Sequence, residues 1–405
     1  MIVGAGLFQV PIIRCASQMG FQTVVVSIRG NYPGLKIADK AYEIDVREKE
    51  EILAIAKQEK ICGILTDQTD IPVTTVAYVA ENLGLPGIGY ECAVRFTNKF
   101  RMRSHAQKIG VPGPAFFQAS TFEEARQQIR RIGFPAVIKP VDNQGSRGVA
   151  RVDTYETLEE KFNAAIIHSA CRKVIIEECL SGIEIVVQGF ASDFKFSNLV
   201  IGDRKYFNIP GLFIPSQTLF PTLLNDDLRK KVLDINYQLI TGFAPQYGIT
   251  HSEYLVDEQT GDVRLIEVAI RGGGVFISSD LVPLASGIDV NKMLIDAVSG
   301  KNSHIDMSSY KNEASAYVCF YLPEGTINRI EGVEKILALP GVHKGYFDNI
   351  KPGKQIYGLT DKTMRQGPIL VKAKDRENLE EIISRLKTTL LIDVETSRGT
   401  MRAIW

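Results

Sequence analysis

The sequence carries no excess of either charge: 47 Lys and Arg stand against 47 Asp and Glu, and nowhere do five like charges run together. Such a chain has no patch with which to grip a polyphosphate backbone or an anionic bilayer, so nucleic acid and membrane are excluded as general partners. It also lacks an uncharged apolar run near the roughly 18 residues that span a bilayer, and no basic segment leads into an apolar one at its start, so it reads as cytoplasmic. Cysteine is scarce. The 6 present fall in no C-x-x-C pair, which suggests neither zinc nor a disulfide framework. No internal repeat is visible. With 45% hydrophobic and 23% charged residues the chain should fold, and 405 residues hold about three units at roughly 150 residues each. Small molecules become the default ligands.

Up to about Tyr90 the pattern alternates strand and helix: Ile2-Val3, Val10 to Met19, Thr23 to Ser27, Lys49 to Lys57, Gly63 to Thr66, Val73 to Leu83. This spacing predicts a parallel sheet with helices on both faces. The first strand runs into Gly4-x-Gly6, but Gln9 replaces the third glycine of a dinucleotide fingerprint and Ser27 offers no carboxylate to a ribose. An oxidoreductase reading is therefore disfavoured. Asp67 and Asp70 follow the Gly63–Thr66 strand, either facing a substrate or capping the next helix. Beyond Pro114 an α+β stretch reads as a small inserted lid: helix Thr121 to Ile132, strand Pro135 to Lys139, helix Leu158 to His168, strand Lys173 to Glu177. Strands through Ile185 to Phe190 and Phe196 to Ile201, an irregular loop from Arg204 to Pro221, a helix from Asp226 to Phe243 and a hairpin from Ser252 to Arg271 come next. A smaller α+β unit closes the chain.

Three segments carry candidate chemistry. Lys139 ends an apolar strand and precedes a loop containing Gly145, Ser146 and Gly148, whose backbone N–H groups can turn toward an anion. Glu177, Glu178, Cys179 and Leu180 end another apolar strand; their backbone can meet a flat base and Glu184 a ribose, although a solvated turn reads the same way. In the hairpin, residues whose numbers sum to 520 face each other, which sets Glu253 opposite Glu267 and His251 opposite Ala269. Directly opposed residues have Cβ atoms about 5 Å apart, so two carboxylates there repel and call for a cation between them. By the period of two, Arg271 shares that face.

Read in order, Lys99, Lys139 with its glycine loop, the Glu177–Leu180 hinge, Glu184, Glu253 and Glu267 resemble the ATP-grasp superfamily over about residues 1–300. Carboxylate–amine ligases, L-amino acid ligases among them, look closest. The resemblance implies an α/β parallel-sheet pre-ATP-grasp domain over 1–95. It further implies an ATP-grasp domain over 96–305, with its lid at about 113–180, and a C-terminal α+β domain over 306–405. It implies that Lys99 and Lys139 hold ATP phosphates under the Gly145-Ser146-Gly148 loop. Adenine would lie on the backbone from Glu177 through Glu178 to Leu180 and ribose on Glu184, with Mg2+ or Mn2+ on Glu253 and Glu267. The implied reaction activates a small-molecule carboxylate as an acyl phosphate for capture by an amine, with Lys139 and Arg271 as catalytic residues and Arg271 gripping the acid. The alternatives are a biotin carboxylase-like or carbamoyl phosphate synthetase-like enzyme, and an ATP-binding protein with a weakened metal site. One departure stands out: the family's Glu-x-Asn reads Glu267-Val268-Ala269 here, and a methyl group cannot coordinate a metal. His251, opposite Ala269, either orients a carboxylate or is a histidine satisfied at the strand start with no part in catalysis, with direct metal ligation the least favoured role. A homodimer is left open.

Overall fold

Strands β1 (Ile2–Val3), β2 (Val24–Ser27) and β3 (Lys40–Glu43) form a parallel sheet in that order, packed with helices Val10–Gln18, Lys49–Gln58 and Val73–Leu83. The computed structural model describes residues 1–405 except 144, 146, 210–212, 302 and 359–363. The strand expected over Gly63–Thr66 contracts to one parallel bridge between Leu65 and Ile2. The chain turns away there because Thr66 donates its hydroxyl to Val3 O and Gln68 adopts a left-handed backbone (φ 57°). Gln9, in place of the third glycine, is buried, and its amide donates to Asp67 O at 2.8 Å, so it knits the fold together.

Asn98 caps helix Lys99–Lys108 by accepting from Arg101 N, which puts Lys99 at the helix start. The next unit is an antiparallel sheet of β4 (Phe116–Ala119), β5 (Ala136–Pro140), β6 (Ala150–Val152) and β7 (Val174–Glu178), ordered β4-β7-β5-β6. Helices Phe122–Ile132 and Tyr155–Ile166 bury Ala125, Ile129, Leu158 and Phe162 against its Ile138, Val152 and Ile176.

The largest sheet contains β8 (Ile183–Ser192), β9 (Lys195–Tyr206), β10 (Pro215–Phe220), β11 (Tyr247–Val256), β12 (Val263–Ala269) and β13 (Ala314–Phe320). Its order is β12-β11-β8-β9-β10-β13, continued by strands Gln366–Ala373 and Val342–Gly345. The stretch expected to be an irregular loop from Arg204 to Pro221 instead holds the end of β9, to Tyr206, and the whole of β10. Ser216 through Phe220 are all buried, so both faces of β10 are covered and the sequence shows no polar alternation to reveal it. Helix Asp226–Phe243, capped by Asn225, lays Leu228, Val232, Leu239 and Phe243 against β8 and β9. One apolar cluster joins Ile2 and Val25 of the first sheet to Phe276, Leu294 and Tyr317. Among the described residues no helix is long and apolar enough to cross a membrane.

Candidate active site

Glu253 and Glu267 lie opposite each other across β11 and β12, and His251 lies opposite Ala269, as expected. The register fails nearer the turn, where Tyr254 faces Leu265. Ile266 is the extra residue of a β-bulge, a device that bends a strand and re-aims the side chain beside it; here that side chain is Glu267.

Both carboxylates have resident cations. Lys99 Nζ donates to Glu267 Oε1 at 2.9 Å and to Asn143 O at 2.8 Å, reaching from its helix to the glycine loop. Burial would lower the Lys99 ammonium, but Glu267 more than offsets this and holds it above its ordinary value. Arg204 on β9 donates to Glu184 at 2.7 Å and makes a very short contact with Glu253. Burial pushes the Glu184 carboxyl up to about 7 despite Arg204, with the neighbouring Glu253 charge adding to the rise. Glu253 itself sits well below the carboxylate range, because Arg204 and His251 outweigh its burial. His251 Nε2 lies 2.9 Å from Glu253 Oε1, while Gln188 donates to Nδ1. Burial lowers the imidazole pKa against the pull of Glu253, and Nε2 also lies 3.2 Å from Arg204 Nη2, so carboxylate, imidazole and guanidinium meet at one point.

Lys139 and Arg103 both clasp Glu177, at 2.6 Å each. Burial raises this carboxyl, but the two cations win and hold it down at about 2. Its pairing therefore stabilises the fold fully above the ordinary value of 4.5, and that contribution is lost as pH falls from 4.5 toward 2. Glu177→Gln should flatten the pH dependence of Tm in this window. An unchanged acid limb would show that the triad does not set it.

The hinge is partly spoken for: Glu178 N bonds Ala115 O and Cys179 N bonds Pro135 O, and Glu178's exposed side chain accepts from Ala115 N. Leu180, one residue on, is half-buried beyond the strand. Gly145 and Gly148 have φ of 80° and 73°, left-handed values that a side chain resists, while Ser146 lies outside the described residues.

Arg271 makes a two-pronged pair with Asp70, Nε and Nη2 each 2.8 Å from its oxygens, and donates from Nη1 to Gly272 O. Asp70 therefore faces Arg271 with its side chain and does not cap helix Val73–Leu83. Its neighbour Asp67 is buried beneath the following loop and accepts from Gly272 N and Ser278 Oγ. A Cβ at Gly272 would come 2.2 Å from Ser278 and 2.5 Å from Asp67, so only glycine fits. Val275 and Phe276 follow at φ 62° and 61°, strained for side chains of their size and typical of loops that hold a ligand.

The donor set suits a hard divalent cation that shares its shell with phosphate oxygens and water. Magnesium commonly takes only one or two protein carboxylates in that arrangement. Glu253 and Glu267 supply two. Among the described residues no group of three or more His, Cys, Asp or Glu is placed to hold a metal alone.

The sequence did not single out Arg103, Gln188 or Arg204. Each acts through a long-range contact: Arg103 on Glu177, Gln188 on His251 and, through Oε1, on Gly273 N, and Arg204 on both Glu184 and Glu253.

Residues 97–206 match the phosphoribosylglycinamide synthetase ATP-grasp (A) domain, and residues 318–395 match the L-amino acid ligase C-terminal domain 2. The chain is 24% identical over 397 residues to the formate-dependent phosphoribosylglycinamide formyltransferase of Sulfurisphaera tokodaii, covering 96% of each. It is 26% identical over 281 residues to the alanine–anticapsin ligase of Bacillus subtilis, covering 64% of this chain and 59% of that one. The crystal structure of L-amino acid ligase from Bacillus licheniformis shares the fold with a TM-score of 0.82 at 20% identity, over 98% of both chains. The ATP-grasp domain model thus lies on Lys99, Lys139 and the Glu177 hinge, and the chain carries the ATP-grasp fold over nearly every residue.

Proposed function

We propose that this protein is an ATP-dependent carboxylate–amine ligase. The observation that carries the reading is the opposed pair Glu253 and Glu267, with Lys99 bridging from Glu267 to the loop after Lys139. ATP phosphates lie against Lys99 and Lys139, adenine against the backbone at Leu180, and ribose on Glu184. A bound magnesium on Glu253 and Glu267 supplies neutralisation of the charge that builds on the transferred phosphoryl oxygens.

The substrate carboxylate oxygen attacks the γ-phosphorus, the bond to the β-phosphate oxygen breaks, and ADP leaves an acyl phosphate behind. An amine then attacks the acyl carbon, phosphate departs, and the nitrogen loses one proton to give the amide. Lys99 and Lys139 face this centre as fixed charges that need no reorganisation during transfer. Arg271 spends three of its five N–H bonds on Asp70 and Gly272, which leaves one hydrogen on each of Nη1 and Nη2 for a second carboxylate. The substrate carboxylate is the group that these two hydrogens of Arg271 suit, in the planar two-pronged geometry of a guanidinium–carboxylate pair.

Phosphate release with ATP and magnesium, screened over a panel of carboxylates and amines, tests the reading: release requires both partners. Release with bicarbonate alone would favour a carboxylase instead. Within this reading His251 steadies Glu253 and Ala269 withholds a ligand. Ala269→Asn should lower the magnesium midpoint for ATP turnover and His251→Ala should raise it, by about tenfold for an outer-shell hydrogen bond. Identical midpoints in both variants would remove His251 from the metal site.

A further inference from the structure

Arg103, only 3% exposed on helix Lys99–Lys108, touches three groups from two other elements. Its Nε donates to Glu177 Oε1 at 2.6 Å, its Nη1 to Leu265 O at 2.6 Å and its Nη2 to Ile266 O at 2.5 Å. The two carbonyls belong to the bulge in β12, and Ile266 is its extra residue. A bulge interrupts the ladder, and an unpartnered buried carbonyl costs about 1–3 kcal/mol. The planar fork of one guanidinium serves both carbonyls, which a single ammonium cannot do. Lys99 lies four residues earlier on the same helix face and holds the Glu267 carboxylate. One helix therefore grips Glu267 twice, by its side chain and by the backbone just before it. The third contact of Arg103 reaches Glu177, which it shares with Lys139.

We propose that Arg103 is a positioning residue: it fixes the β12 bulge that aims Glu267 at Glu253, and through Glu177 it ties that aim to Lys139. Glu267 as a metal ligand and Lys139 as a nucleotide ligand come from the proposed function, on which this inference rests. It extends that reading by giving the metal carboxylate a buried support that shares Glu177 with the phosphate lysine, with no contact between Arg103 and substrate required.

The test measures binding, not turnover. Mn2+ bound in the presence of ADP is followed by electron paramagnetic resonance, and metal-free ADP binding by calorimetry, in wild type, R103K, R103M, E267Q and the R103K/E267Q double variant. R103K keeps a charge opposite Glu177, so it is the variant expected to fold even if R103M does not. Expected for R103K are metal-free ADP affinity within about twofold of wild type and a Mn2+ midpoint raised by at least about tenfold. In the E267Q background the same change should have no further effect. An unshifted Mn2+ midpoint in R103K, or an equal tenfold loss in the E267Q background, overturns the proposal. Equal loss of metal-free ADP affinity would make Arg103 a general support and overturn it too. Wild-type protein that binds neither ADP nor Mn2+ would instead overturn the reading of the site itself, and this inference with it.

Discussion

Lys139→Ala should lose ATP turnover by at least about a hundredfold while the protein stays folded. The side chain is 14% exposed near the end of β5, and its removal takes away a fixed positive charge where, in the proposed reading, the γ-phosphoryl oxygens would lie. Removing one preorganised partner of developing charge typically costs 10²–10³ in rate. The fold should survive because Glu177 keeps its bond to Arg103 and is not left as an unpaired buried charge, the circumstance that makes such substitutions severely destabilising. Steady-state kinetics beside a melting curve separates the two effects. Normal turnover would reduce Lys139 to a structural partner of Glu177.

Glu267→Gln should have a comparable effect by another route. The amide keeps the shape of the side chain but removes half the anionic charge of a site that Ala269 already leaves one donor short. It also takes the counter-charge from Lys99, which otherwise donates to the neutral Asn143 O. Turnover at a fixed, physiological magnesium concentration should fall at least about a hundredfold, with part of it recovered at high magnesium, since a weakened metal site saturates late. A magnesium titration superimposable on that of wild type would put the metal elsewhere.

The residues that carry the family resemblance were readable because each lies in a short recognisable stretch: Lys99 opens a helix, and Lys139 and Glu177 stand near the ends of apolar strands. The Glu253–Glu267 opposition followed from one turn and the two-residue period of a strand. What escaped was displaced by a bulge or reached from far along the chain. Counting back from the Ser192–Lys195 turn pairs Glu184 with Asp203, but an irregularity between Gln188 and Gly189 moves its partner to Arg204. The bulge at Ile266 likewise broke the hairpin register just beyond Glu253, and nothing local in the sequence marks it. Arg103 is one basic residue among several on a polar helix, and only the fold shows that it is the buried one. Strand β10 was missed because burial on both faces erases the alternation that would announce it. Arg271 was expected on the hairpin face with the two glutamates; its partner Asp70 lies 201 residues away, beyond any sequence pattern.

The central claim is that a carboxylate is activated by taking the γ-phosphoryl group of ATP. With the acid–amine pair that gives the greatest phosphate release, both carboxylate oxygens of the acid are labelled with oxygen-18 and the products analysed by mass spectrometry. The account predicts one labelled oxygen in each released phosphate and the other in the amide, because the C–O bond breaks when the amine displaces phosphate. Unlabelled phosphate, with both heavy oxygens still on the acid, would mean that ATP is simply hydrolysed and would contradict it.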